Sequence, residues 1–430
     1  MSMRLSDEEK AMRDGAHGAA VAKAMDLLIR YGEALGAEDF VYTDNIAGVP
    51  GSSPKWVKEY YAEDGGDYRA VFSRFDLDSD EVVDVPRISG FACHLQGGMD
   101  PELWREQGMS EEAFANFQAD EREVAGHGIQ VLKTCTPYLA GNMPVMGEHC
   151  AWMESSAVVL CNSVVGGRTN CEGRESTSSA MLAKRVPNWG FHRDEFRKGQ
   201  HLIKVETPVD SIFEWGLLGY FTGAAVEDAI PVLDGAIADP ALIKHKHFGA
   251  AAASSGGVEM YHMAGITPEA PSLEVAFGGQ PRGERFTYGA NERRATYERL
   301  NSIGESRDVD YVMLGCPHYS ADQLAEAARL LEGRRVHENS NLWIFTSRAV
   351  KATAEASGSA DIIRRAGAQL MTDTCSAISQ AVPPGTRVAA FDSAKQTHYL
   401  PAIMGIEGWF GTTQECIEAA CTGRWNGRLN

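Results

Sequence analysis

From residue 310 onward the chain alternates short apolar runs with stretches of helical spacing, and that rhythm restricts the architectures open to it. DYVMLG reads as a strand, followed by CPHYS and then a helix from Ser320 to about Leu331. Ser320, with Gln323 three residues on, has the pattern of a capping box, in which helix-start side chains satisfy each other's backbone amides. NLWIFT reads as the next strand with a helix behind it to about Ile363, and QLMTDT and RVAAFD read as two more strands. Strand and helix in alternation imply a parallel sheet, because parallel neighbours need a crossover between them. In such sheets ligands gather beyond the carboxyl ends of the strands. Cys316, Ser347, Cys375 and Ser393 all fall at or just past predicted strand ends. Packing alone is a poor explanation for polar residues collected on one side.

The earlier part of the chain is less regular. Residues 6 to 35 read as helix: Ser6 and Glu9 suggest a capping box, Met25, Leu28 and Leu35 keep helical spacing, and Gly36 is a plausible stop. Between Asp44 and Asp100 the pattern suggests loops and short strands, with DLDSDE as a solvated surface. SAVVLC, residues 156 to 161, reads as a buried strand. Behind it NSVVGGRTNCEG forms a glycine-bearing loop feeding a helix that starts near Ser176 to Ser179. Such a loop offers backbone N–H groups to an anion, and Arg168 can clamp a carboxylate or phosphate. The expected division is a helical and irregular region over 1–130, an α/β domain with the Arg-bearing loop over 131–300, and an α/β domain with Cys316 and Cys375 over 301–430.

Composition narrows the class. With 430 residues the chain exceeds one ordinary core. A net charge of −19 argues against a nucleic-acid partner. The N-terminus lacks an apolar signal region, and no apolar stretch approaches the roughly 18 residues of a membrane span. Nine cysteines, an odd number with no export signal, read as reduced cytoplasmic thiols or metal ligands.

Cys135 in TCTPY, Cys316 and Cys375 are the thiols that sit where strands end. Three thiolates on one site can hold an iron–sulfur cluster and leave one iron without a protein ligand. An open iron is a Lewis acid that helps a hydroxyl leave, which points to a hydro-lyase. No C-x-x-C pair is present, so a common cluster signature is missing. A cysteine-dependent or mononuclear-metal enzyme and a non-enzymatic binding protein are the other readings. His318 can orient a substrate hydroxyl or assist proton transfer, and Lys395 can bind a substrate carboxylate. Cys171 is a reserve ligand; Cys93, Cys150 and Cys161 read as core or pocket lining, and Cys416 and Cys421 as packed in a helix. His245 and His247 alternate like a strand and read as a solvated pair rather than a metal site. Glu269 reads as a cap on the turn that follows it.

At KTCTPYLAGN, ESSAVVLCNSVVGGRTNCEG, YHMAGITPEAPSLEVAF, VDYVMLGCPHYS, MTDTCS and SAKQTHYLP the chain resembles the large subunit of the aconitase X family. The motifs run in the family's order over most of residues 130 to 430. The resemblance implies an aconitase-like, multi-domain α/β architecture with parallel sheets around a central iron–sulfur cluster, 4Fe-4S or 2Fe-2S. It implies Cys135, Cys316 and Cys375 as ligands. It also implies a substrate pocket formed with Asn162, Ser163, Arg168, Thr169 and Asn170, with His318 and Lys395 beside it as catalytic groups. The activities it implies are dehydration of a small anionic hydroxy acid such as cis-3-hydroxy-L-proline, with a phosphomevalonate dehydratase as the alternative. A separate small swivel-domain subunit is expected to supply the catalytic base. The chain departs from the family at Cys171, where a basic residue is usual, at YTDNIAGVPGSS, and over Asp64 to Met99. These departures bear on the substrate more than on the chemistry.

Overall fold

The computed structural model describes residues 2–49, 85–88, 90–93, 98–238, 240–279, 283–302 and 304–429. The DLDSDE run lies outside the described residues, as does most of the divergent Asp64–Met99 stretch. The N-terminal helical signal becomes two helices, Asp7–Arg13 and Ala19–Leu35. They part at Gly15 and Gly18, whose φ of 90° and 95° interrupt a helix. The capping box forms as expected: Ser6 N–H donates to Glu9 at 2.8 Å, and Glu9 N–H donates to Ser6 Oγ at 3.3 Å.

Strands β1 (Phe40–Tyr42), β2 (Asn45–Gly48), β3 (Phe91–Ala92), β4 (Gln130–Val131), β5 (Cys150–Trp152) and β6 (Arg185–Pro187) build the first region. Four of them pair in parallel in the order β4-β3-β2-β5, while β1 and β6 form an antiparallel pair. This sheet draws strands from both sides of residue 130. The second sheet is parallel in the order β10-β7-β8-β9, from β7 (His201–Val209), β8 (Pro231–Ile237), β9 (His262–Met263) and β10 (Arg285–Tyr288).

The expected strand SAVVLC is instead a helix, Ser155–Leu160, that runs into a π-helical turn at Cys161–Val165. Its residues serve two cores. Ala157, Val158 and Leu160 pack with the first sheet's Ala47 and Trp152, and Val159 packs with Ile203 of the second sheet and Phe248 of the helix Leu242–Gly256. A helix turn buried on every side has no polar face, so its sequence carries no helical period.

The third sheet matches the expected alternation. Its strands are β11 (Tyr311–Tyr319), β12 (Asn341–Thr346), β13 (Gln369–Thr372), β14 (Val388–Phe391) and β15 (Glu407–Phe410), all parallel in the order β13-β12-β11-β14-β15. The order reverses at β11, which places a crevice between the carboxyl ends of β11 and β14. Alternate residues separate cleanly. Val312, Leu314, Leu342, Ile344, Val388 and Ala390 face a core shared with the helix Ala321–Leu331 and the C-terminal helix Thr413–Thr422. Tyr311, Met313, Trp343, Phe345, Ala389 and Phe391 face the opposite core, which contains Cys135, Cys316 and Cys375.

The kink that turns β11 toward this crevice is at Gly315. Its φ is 96°, and a Cβ there would lie 2.1 Å from the Phe345 carbonyl oxygen of β12. The pairing with β12 shifts register between Leu314 and Tyr319, across Cys316. Gly315→Ala therefore combines a disfavoured backbone conformation with a backbone clash. It is expected to cost more than about 1 kcal/mol, measured by urea unfolding. An unchanged midpoint would show that the kink does not depend on this glycine.

Candidate functional site

His318 ties together the three segments that carry the thiols. It lies two residues beyond Cys316 and is fully buried. Its backbone N–H donates to Cys135 Sγ at 3.2 Å. Its Nδ1 is 2.9 Å from Thr134 Oγ1, and its Nε2 is 2.9 Å from the carbonyl oxygen of Thr374, the residue before Cys375. A carbonyl can only accept, so Nε2 carries the proton and Nδ1 accepts from Thr134. Burial pushes the ring's pKa down to about 4, which keeps it neutral. With both nitrogens engaged, the geometry makes His318 a positioning group. The sequence reading of it as an acid–base residue does not fit these contacts.

The first region braces the same loop. Asp100 accepts from Thr372 N–H at 2.6 Å, and Gln107 donates to Thr374 Oγ1 at 3.2 Å. Behind the loop, a cleft of about 470 Å³ is lined by Glu102, Glu121, Arg348, Lys351, Thr372 and others. Two of its cations are already paired, Arg348 with Glu121 and Lys351 with Glu102, each at 2.7 Å. None of the sequence-predicted site residues lines it.

Cys135, Cys316 and Cys375 are buried in one core, each retaining 7–8% exposure. Burial pushes each thiol up to about 12, and each also feels another of the three: Cys135 feels Cys316, Cys316 feels Cys375, and Cys375 feels Cys135. Without a ligand to replace the proton, they stay protonated. Among the described residues, no three His, Cys, Asp or Glu side chains stand close enough to hold one metal ion. A single ion would draw thiolates to about 2.3 Å from one point. A cluster of several irons spreads its thiolates around a larger body. Cys135, Cys316 and Cys375 share one core and feel one another's charge, and these are the residues that could hold an iron–sulfur cluster.

Lys395 stands at the start of the helix Ala394–Met404, whose cap Ser393 follows β14. Burial disfavours its ammonium, but Glu154 and the thiols Cys316 and Cys135 outweigh this and hold its pKa above the ordinary value. Its Nζ donates to Glu154 Oε1 at 2.8 Å. Glu154 is the cap of the helix Ser155–Leu160, and it also accepts from Ser156 Oγ at 3.1 Å. Sequence reasoning missed this carboxylate. As a cap residue beside an apolar run it gave no signal of its own.

The Arg-bearing loop is held by its own polar residues. Asn162 donates to Thr169 O at 2.8 Å, and its side-chain oxygen accepts from Thr169 N–H at 3.0 Å. Thr169 Oγ1 accepts from Trp152 N–H at 3.0 Å, and Ser163 Oγ accepts from Tyr261 N–H at 2.9 Å. Asn170 accepts from Phe191 N–H at 2.9 Å. Arg168 donates to His192 O at 2.9 Å and pairs with Asp194. The side chains of Asn162, Ser163, Thr169 and Asn170 are thus already engaged in building the loop.

A second arginine, Arg197, went unnoticed in the sequence. It is 1% exposed and donates to the carbonyls of Asn162, Gly167 and Phe191. Its counter-ion is Glu269, gripped through Nε at 3.0 Å to both carboxylate oxygens, so Glu269 is a half-buried ion-pair partner and not a turn cap. His245 and His247 lie on the helix Leu242–Gly256, not on a strand, and both are buried. His245 is 2.7 Å from Tyr261 Oη, and His247 is 3.1 Å from Gln323 Nε2. The helix is walled in by neighbours, so its histidines alternate without marking a surface. Of the remaining cysteines, Cys93, Cys150, Cys161 and Cys416 are buried, Cys421 is half-buried and Cys171 is exposed.

The whole chain has relatives. Residues 2–195, 199–298 and 309–422 match the profiles of the first, second and third domains of aconitase X. The chain is 33% identical over 423 residues to the phosphomevalonate dehydratase large subunit of Methanocaldococcus jannaschii, covering 97% of this chain and 100% of that protein. It is 36% identical over 428 residues to the cis-3-hydroxy-L-proline dehydratase of Pseudomonas aeruginosa, covering 98% of this chain and 70% of that protein. The crystal structure of Thermococcus kodakaraensis aconitase X in its holo form superposes with a TM-score of 0.79 at 28% identity, over 97% of this chain and 100% of that one.

Glu172, at the end of the Arg-bearing loop, is 3% exposed, and burial raises its pKa from 4.5 to about 7. The folded state therefore keeps a proton that the unfolded state has lost between those values. Its contribution to stability is full below about pH 4.5 and is lost as pH rises through about 7. Glu172→Gln is expected to remove about 1–3 kcal/mol of the stability difference between pH 5 and pH 8. Urea unfolding of both proteins at the two pH values checks this. The same pH dependence in the variant would show that Glu172 titrates normally.

Proposed function

This chain belongs to the aconitase X family, and we propose from that premise that it is the large subunit of an iron–sulfur hydro-lyase dehydrating a small hydroxy acid. The observation that carries the reading is the set of three buried thiols, brought together by His318 at the carboxyl edge of a parallel sheet beside Lys395. Cys135, Cys316 and Cys375 would hold the cluster. When bound, it supplies a Lewis-acidic iron that polarises the leaving hydroxyl.

The chain's own residues do the rest. Lys395, kept charged by Glu154, holds the substrate carboxylate as a point charge. The cores around the three thiols exclude water and strengthen that attraction. His318 stays neutral and fixes the thiol-bearing loops. The proton next to the carboxylate goes to a base on a small subunit. The phosphomevalonate dehydratase relatives, which are named as large subunits, support such a partner.

Charge balance supports cis-3-hydroxy-L-proline over a phosphorylated substrate. Arg168, Arg197 and Lys395 are each matched to a carboxylate: Asp194, Glu269 and Glu154. Three cations that are already paired suit a zwitterion better than a phosphate-bearing polyanion.

The test is anaerobic purification, alone and with a small-subunit protein of the family, followed by assays for iron, acid-labile sulfide and loss of water from both substrates. A brown protein that loses colour in Cys316→Ala and Cys375→Ala is expected. Lys395→Met should retain the cluster and lose about 100-fold or more in kcat/KM. A protein without iron or sulfide after anaerobic reconstitution would overturn the lyase reading. Turnover of phosphomevalonate alone would overturn only the substrate.

A further inference from the structure

We propose that Lys246 is the built-in counter-charge of the three-thiol site, a buried ammonium that offsets the negative charge the thiols acquire on binding a cluster. The inference rests on the cluster reading above and adds to it a residue of the second domain.

Lys246 is 0% exposed on the helix Leu242–Gly256, which packs against β11. Its Nζ donates to Pro317 O at 3.3 Å, His318 O at 2.8 Å and Gln323 Oε1 at 2.5 Å. All three acceptors are neutral. Lys395, the other ammonium of the site, has Glu154 in contact.

Among the described residues, no carboxylate makes a hydrogen bond or an ion pair with Lys246. His247 is held neutral by burial, and so is His245 on the same helix. The Tyr319 ring lies 5.9 Å away. Asp392 acts on Lys246 from a distance, but its carboxylate accepts from Tyr319 Oη and, at 2.8 Å, from Thr413 Oγ1, and burial raises its pKa.

A buried charge without a partner is costly and tends to be relieved by losing or binding a proton. Burial pushes Lys246 down to about 8, against the pull of Cys135, Asp392 and Cys316, so it remains mostly a cation at neutral pH. Three thiolates on iron would provide the missing negative charge. The same ammonium grips the two carbonyls that follow Cys316, so it links the charge of the site to the shape of its loop. Net charge and hydrogen bonding around a cluster set its reduction potential. A fixed positive charge favours the reduced, more negative state.

Lys246→Met removes the charge at similar length. Gln323→Glu leaves the ammonium in place and neutralises it with a carboxylate, and it decides the matter alone if the first variant fails to fold. Both are to be loaded with cluster anaerobically and compared with the wild type in midpoint potential, in iron release to a chelator, and in the Tm gained on loading. The expected result is a more negative midpoint, iron release faster by about tenfold and a smaller gain in Tm, in both variants. A purely structural lysine would lower the Tm of loaded and unloaded protein alike and leave the midpoint in place, which would overturn the inference. A wild type that holds no iron or sulfide would overturn the cluster reading and this inference with it. A loaded wild type with unmoved variants would overturn this inference alone.

Discussion

One imidazole organises this molecule. Three atoms of His318, its backbone nitrogen and both ring nitrogens, reach Thr134, Cys135 and Thr374, partners 184, 183 and 56 residues away along the chain. Each of these contacts closes a long loop, and the cost of closing loops grows only slowly with length. Fixing three loops at once is harder, because every polar atom in a buried junction must find a partner. A neutral histidine does this economically. It presents a backbone donor, a ring donor and a ring acceptor at one point, and burial keeps it from becoming charged. The thiols are held in place whether or not anything binds them.

Around that junction two of the buried cations, Arg197 and Lys246, each meet several acceptors at once. Arg197 spreads its guanidinium over Glu269 and three carbonyls, and so converts a glycine-rich segment into a fixed loop. Lys395 meets Glu154 across the boundary between the first and third domains. Lys246 meets two carbonyls and an amide. Removing one partner from such a group leaves the rest buried and unsatisfied, at about 3–5 kcal/mol for a buried ion pair. These groups therefore confer shape first. Whatever charge remains unbalanced is available to a ligand.

What could be read from the sequence was what local physics dictates. The parallel sheet of the third domain, the capping boxes at Ser6 and Ser320 and the placement of Cys375 past a strand end all follow from spacing within a few residues, whereas Cys316, expected just past its strand, lies inside β11, which runs on to Tyr319. Two segments misled for one shared reason. SAVVLC and KHKHFG are helices enclosed on all sides, and enclosure erases the polar face that gives a helix its period. Glu154, just before the first segment, and Lys246, within the second, were hidden for the same reason. Each looks like an ordinary charged residue until its partner, 241 or 72 residues away, is known. The loop residues Asn162, Thr169 and Asn170 were visible as a motif, but a motif does not distinguish groups that build a pocket from groups that face it.

The distribution of the thiols has a thermodynamic consequence. Cys135 comes from the first domain and Cys316 and Cys375 from the third, while Lys246 reaches the same place from the second. A ligand held by all three thiols would bind only the arrangement in which the domains are docked, and would stabilise that arrangement by the logarithm of its excess over its dissociation constant. The docked state already has His318, Asp100 and Gln107 holding the loops without a ligand. Binding thus adds to an interface that is already formed, which is why a site shared among domains can be both deeply buried and well ordered before it is filled.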